Sequence, residues 1–338
     1  MKFKIYHFLL SLILTIPTFS SAQVNVEKIS KRNLDRFYNK ATKFILPATY
    51  TKEEYNNILK GVWTVTPYEI IHTKDFDKNN VNVNDVIVEF NSTTVVPEQS
   101  IGLTLLIFAL DINIVDKLNT KKKENELDWY SSTVATVYFN PNTELITKTI
   151  SNAFSKAKTF NVESKNNYKT MSASLNGDLV NFRLGYLKNF LQLINNSIKN
   201  EKTYDLNKKF ISKEIKKLKN TTLYIDRNIA SNTNYAFGKK NLAKPSEEKV
   251  LDFKELMNLY SFDYKIVDYE EIEEKILDEN SSDFYYFMYS QINNKKLITL
   301  INGKTGNIAY QTHSEGLSTR KLKENDIKEL NKVVKKSK

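Results

Sequence analysis

Apolar and polar positions change period several times along this chain, and each change marks an element. The pattern is clearest in the last third. "TTLYID", Thr221 to Asp226, reads as a strand, and a polar loop with Gly238, Pro245 and Ser246 follows. Glu248 to Tyr260 has helical spacing, with Val250, Leu251, Leu256 and Leu259 as its apolar contacts. Tyr264 to Val267 is a second strand. "YEEIEEKILDEN" places Ile272, Ile276 and Leu277 on one helix face and a solvated row of acids on the other. "DFYYFMYSQI", "KLITLI" and "NIAYQTH" then read as three strands in tight succession, the first two joined by a turn at Asn293–Lys296. A charged helix, Lys321 to Lys336, closes the chain on Leu322, Ile327, Leu330 and Val334. Helices between strands imply that part of the sheet is parallel.

The same order recurs earlier. Thr42–Ala48 is a strand, Lys52–Leu59 a helix, and "PYEIIH" resembles "DYKIVD", with Tyr68, Ile70 and Ile71 in the places of Tyr264, Ile266 and Val267. Trp63 sits near the place of Tyr260. "LTLLIFALDI" takes the place of "DFYYFMYSQI", and "TVATVYFNPNTELITKT", with a turn at Asn140–Thr143, that of the final hairpin. On this alignment "DVIVEF" is an extra strand and "KLNTKKKENELDW" a charged loop. Between the copies, Leu175, Leu179, Phe182, Tyr186, Phe190, Leu193 and Ile198 form one apolar stripe at helical spacing. Leu206, Phe210, Ile215 and Leu218 suggest a second, shorter helix. Gly177 and Gly185 weaken the first helix by ~1 kcal/mol each against Ala. The expected fold is α/β or α+β: two related mixed-sheet modules of order β-α-β-α-β-β-β, joined by long amphipathic helices. The expected boundaries are 1–22 signal segment, 23–150 first module, 151–219 helical connector and 220–338 second module.

The segment 1–22 changes where the chain is expected to work. Lys2 and Lys4 precede a run from Ile5 to Ile16 that is apolar except for His7, Ser11 and Thr15, and Ser20 and Ala22 suit cleavage before Gln23. The run is shorter than the ~20 residues a membrane span needs, and no later segment is long and apolar enough. A periplasmic or secreted protein is expected, with no transmembrane anchor after cleavage. The chain has no cysteine, so thiol nucleophiles, thiolate metal sites and disulfides are excluded. With 41% hydrophobic residues it can build cores without them.

The formal charge is +11, which raises a polyanion as partner. The excess is almost all Lys; arginine, which suits planar phosphate recognition, occurs only at positions 32, 36, 183, 227 and 320.

Candidate chemistry is thin. "LITLINGKTGNIAYQ" contains a Gly-Lys pair, but a phosphate loop needs another Gly where Ile298 stands, and a helix where Ile308 continues a strand. The segment therefore reads as a hairpin, with no nucleotide. "DKNNVNVNDV" lacks the Gly and the closing Glu of a calcium loop. His72 and His313 are the histidines beyond the signal segment, and eight glycines leave little material for cofactor loops, so no cofactor is expected.

Architecture supplies a site where motifs do not. Ligands of open α/β sheets gather beyond the carboxyl ends of parallel strands. In the second module these ends are Asp226, Arg227, Asn228 and Asp268–Tyr269; in the first they are Thr49–Tyr50 and His72. Arg227 opens a loop that carries Lys239 and Lys240, and an anionic ligand or envelope partner is expected there. The chain reads as a non-catalytic binding or scaffold protein of the bacterial cell envelope. A carboxylate-dependent hydrolase and a polyanion-binding basic protein are the alternatives.

Overall fold

A computed structural model describes residues 23–95, 105–121, 126–142, 179–205, 208–233, 247–292, 295–315 and 321–338. The described elements build two six-stranded mixed sheets and several helices. The first sheet takes β1 (Val24–Val26), β2 (Thr42–Leu46), β3 (Tyr68–His72), β4 (Val86–Val95), β5 (Leu105–Lys121) and β6 (Glu126–Phe139), in the order β1-β6-β5-β4-β2-β3. The second takes β7 (Phe210–Ile211), β8 (Leu223–Asp226), β9 (Tyr264–Val267), β10 (Tyr285–Ile292), β11 (Lys295–Asn302) and β12 (Ile308–Glu315), in the order β7-β12-β11-β10-β8-β9.

The two sheets share one connectivity. β2 lies parallel to β3 and β4, as β8 lies parallel to β9 and β10. An antiparallel run of three further strands completes each sheet. Tyr68 and Tyr264 both start the outer parallel strand, opposite Thr42 and Leu223, as the sequence likeness of these segments suggests.

The pairing shifts the sequence alignment by one strand. β4, "DVIVEF" and onward, is the counterpart of β10 and not an extra strand, because it is the one that pairs parallel to β2. The described parts of the expected charged loop, 117–121 and 126–129, continue the β5–β6 ladder out to Lys121 opposite Glu126, while 122–125 fall outside the described residues. Antiparallel hairpins resemble one another in sequence, so only the parallel partner reveals the register.

Seven α-helices are described: α1 (Lys31–Tyr38), α2 (Lys52–Leu59), α3 (Leu184–Lys199), α4 (Arg227–Asn232), α5 (Glu247–Met257), α6 (Tyr269–Leu277) and α7 (Glu324–Lys336). α2 starts on a capping box: the Thr51 hydroxyl accepts from Glu54 N at 3.1 Å and the Glu54 carboxylate accepts from Thr51 N at 2.7 Å. The Thr51 N–H and hydroxyl, both donating to the Glu54 carboxyl, hold it below its usual range. The helix expected on Leu206, Phe210, Ile215 and Leu218 does not form over the described residues 208–218. Phe210–Ile211 is an edge strand on β12, and Lys213–Lys219 is a 3₁₀ segment with Ile215 and Leu218 buried. Lys295 and Lys296, expected in a turn, lie inside β11, while 293–294 fall outside the described residues.

α3 is the structural link between the sheets. Neighbouring strand residues face opposite sides. Tyr286 meets Tyr186 of α3, with ring centroids 5.2 Å apart, while Phe287 meets Phe253 of α5 at 5.8 Å. The second sheet is therefore covered by α3 on one face and α5 on the other. α3 also holds the first sheet: Phe182, just ahead of it, packs on Phe90 and Phe139 at 5.4 and 5.0 Å. Near its other end the Asn195 carbonyl accepts from Thr64 N and Val65 N at 2.7 and 3.1 Å. Because both sheets press on it, α3 is buried nearly all round, including Asn189, Asn195 and Ser197.

The loop of "NGKTG" is a hairpin turn docked on this helix. Asn302 Oδ1 accepts from Lys304 N and Thr305 N at 3.0 and 3.1 Å, and Gly303 O accepts from Asn189 Nδ2 at 3.0 Å. Gly306 has φ +70°, and a Cβ there would stand 2.5 Å from the backbone oxygen of Asn189. Gly306→Ala therefore incurs a left-handed strain of about 1–2 kcal/mol and an overpacking cost of about 1–3 kcal/mol. Urea unfolding is expected to show a loss of about 2–5 kcal/mol from these two sources; an unchanged midpoint would mean that the turn is not held against α3.

Candidate functional site

The parallel strands of both sheets end near the N-terminus of α3. Tyr50, beyond β2, donates its hydroxyl to Phe182 O at 3.2 Å. Asp226, the last residue of β8, accepts from the Tyr186 hydroxyl at 3.0 Å through one oxygen and from Asn228 N at 2.8 Å through the other. Arg183 precedes α3 and lies over the Tyr269 ring at 5.4 Å from its centroid. Gly185 N, in the open first turn of α3, is shared between Tyr269 Oη at 2.9 Å and Glu273 Oε1 at 3.1 Å. Tyr269 in turn donates to Glu273 at 2.6 Å. The Tyr186 and Tyr269 rings cross edge-on at 4.9 Å.

This is a buried network of two tyrosine–carboxylate pairs. Asp226 is 0% exposed. Burial pushes its carboxyl up to about 6, opposed by the Asn228 and Tyr186 donors and by the positive charge of Arg183. Burial, reinforced by the neighbouring Asp226 charge, holds the Tyr186 hydroxyl far above its usual range, so it stays a donor. The same holds for Tyr269, by burial and then by the Glu273 charge. Glu273 belongs to the helix face read from sequence as solvated; its carboxylate instead turns to α3.

Arg227 opens a short helix, α4, and not a loop. Its guanidinium bonds Asp268 at 3.0 Å and Glu247 at 3.3 Å. Arg227 and Asp268 thus meet at the surface beyond the strand ends, while the Asp226 carboxyl turns inward to Tyr186 and Asn228 N. Lys239 and Lys240 lie outside the described residues.

His72 ends β3 in the other sheet, opposite Leu46 of β2. Here the contrast is sharp. His72 Nε2 and the hydroxyls of Thr49 and Thr73 are buried with no hydrogen-bond partner. Buried polar atoms are normally paired, so three orphans at one strand end mark a place that can accept polar groups. The sequence named Thr49 and His72; Thr73 carried no signal of its own.

The segment weighed as a calcium loop closes on itself. Asp77 accepts from Asn79 N at 2.9 Å and Asn80 Nδ2 at 3.2 Å, and Asp85 pairs with Lys43 at 2.7 Å. Among the described residues no three His, Asp or Glu side chains converge as metal ligands. No helix among them is long and apolar enough to cross a membrane.

Comparison with protein-family models, with curated proteins and with solved structures finds no match. Any role for the chain must therefore be argued from its own geometry.

Proposed function

We propose that the chain is an exported, non-catalytic binding or scaffold protein of the bacterial cell envelope. The contrast between the two strand ends carries the reading. In the second sheet, Asp226, Asp268, Glu247 and Glu273 all have internal partners. The Tyr260, Tyr286 and Tyr310 hydroxyls of the second module are also buried without a partner, but the unpartnered groups gathered at a parallel-strand end are those of the first sheet, where a histidine nitrogen and two hydroxyls can hold a polar ligand by hydrogen bonds. A carboxylate-dependent hydrolase needs an acid free to act, and Asp226 has both oxygens occupied.

Export rests on the N-terminal pattern. Gln23 fits it: the residue is 2% exposed, its amide nitrogen donates to Tyr138 O at 2.6 Å, and its carbonyl accepts from the Ser290 hydroxyl at 2.6 Å. Cleavage ahead of Gln23 leaves this tie between the sheets intact.

Two measurements test the proposal. Produced in a bacterial host, the chain is expected in the periplasmic or culture fraction with Gln23 as its first residue. An uncleaved chain confined to the cytoplasm would end the export reading. A nuclear magnetic resonance screen of small polar fragments is expected to shift Thr49, His72 and Thr73 before other residues. Shifts confined to the Asp226 cluster, or elsewhere, would remove the binding site from the first sheet.

A further inference from the structure

Much of the chain's net positive charge comes from two short segments far apart in sequence. Residues 209–219 hold five lysines and one glutamate, and residues 329–338 hold four lysines and one glutamate. Together they account for more than half of the formal excess of +11. The fold joins them. Lys219 Nζ donates to Ser337 O at 2.5 Å, just past the end of α7, and Lys209 bonds Glu329 at 2.6 Å. Lys213, Lys216, Lys335, Lys336 and Lys338 are all exposed. Beside them Ile211 of the edge strand β7 is 47% exposed, a large apolar side chain set among lysines.

We propose that this surface, built from β7, Lys213–Lys219 and the end of α7, docks on an anionic lipid bilayer, with lysines over the headgroups and Ile211 at the acyl boundary. The inference rests on the envelope reading for its biological setting, and on the surface alone for its chemistry.

The composition of the patch decides between polyanions. Its cations are compact, hydrated lysine ammonium groups, with no arginine fork for bidentate phosphate contacts. The one aromatic side chain of these segments, Phe210 of β7, packs on the core beside Tyr204, with ring centroids 5.6 Å apart, instead of standing out for a base to stack on. A nucleic acid would use either; a charged bilayer surface needs neither, and accepts an apolar side chain that a polysaccharide would not. The Glu329 carboxyl is held below its usual range by its bond to Lys209, with Lys332 and Lys336 adding to the effect. This one acid thus sits in the field of three cations.

Each lysine near an anionic bilayer contributes roughly fivefold to partitioning. The purified chain without residues 1–22 is expected to co-sediment with vesicles of equal parts phosphatidylglycerol and phosphatidylcholine. It should not co-sediment with pure phosphatidylcholine, and binding should fall steeply as salt rises above ~0.15 M. The quadruple variant Lys213→Glu, Lys216→Glu, Lys335→Glu, Lys336→Glu alters exposed positions only. It should lose at least ~100-fold in partitioning, with unchanged thermal unfolding. Ile211→Ser should weaken vesicle binding several-fold and leave heparin retention as it was. Equal binding to neutral vesicles, undiminished binding by the quadruple variant, or binding to heparin or duplex DNA without binding to vesicles would each overturn the proposal. None of these outcomes depends on whether the chain is exported, so the localisation experiment fails or succeeds separately.

Discussion

Asp326→Ala is expected to lower the unfolding free energy by about 3–5 kcal/mol, the usual cost of stranding a buried charge. The charge is Lys296. It lies in β11, a central strand, and its side chain is only 3% exposed. Its ammonium donates to Asp326 and, at 3.0 Å, to Lys321 O. Asp326 also accepts from Lys323 N at 2.7 Å in the first turn of α7. Alanine removes both contacts, and an ammonium left in a packed interior has one carbonyl in place of a counter-ion. Lys296→Met should cost less, because Asp326 is 17% exposed and keeps its hold on α7. The double variant Lys296→Met, Asp326→Ala should recover much of the single loss, since it removes the unpaired charge. Urea unfolding of all four proteins gives the coupling directly. Additive single effects would mean that the pair does not join α7 to the sheet.

Asp226→Asn should act in the opposite direction, and only at neutral and alkaline pH. The folded carboxyl titrates at about 6, against an ordinary value of 3.8, because burial disfavours its charge. A raised folded pKa means that the fold favours the protonated form. Its contribution to stability is fully present below the unfolded value and is lost as pH rises through about 6. The shift corresponds to roughly 3 kcal/mol at most. Asparagine is neutral at every pH, can accept from Asn228 N, and can still bond the Tyr186 hydroxyl. The variant should therefore be about 2–3 kcal/mol more stable than the parent near pH 8. The gap should close as pH falls to ~4. Thermal unfolding from pH 4 to 8 checks this. Two curves that run parallel across that range would show that Asp226 bears no charge-burial cost.

Local patterns carried much of this architecture. β3, β9 and α2 occupy the stretches that their spacing marks, and the two copies of the strand–helix order correspond to two sheets of one connectivity. Such features depend on near neighbours: alternation for a half-buried strand, a Thr–Glu capping box, a turn-forming Asn-Gly. They can be read wherever the local preference and the final packing agree.

Four features needed the tertiary structure, each for a physical reason. Hairpins look alike in sequence, so only the parallel pairing to β2 shows that β4, not β5, is the partner of β10. Phe210–Ile211 has helical spacing with Ile215 and Leu218, but the free edge of β12 offers backbone hydrogen bonds that a short helix does not outweigh. Lys296 looks like a turn residue until α7 covers it with Asp326. Glu273 looks solvated until the open N-terminus of α3 arrives with an unpaired N–H. The basic surface follows the same rule. Each lysine was visible in the chain, but only the packing of α7 against Lys213–Lys219 sums their charges, because electrostatic potential depends on distance in space and not along the sequence.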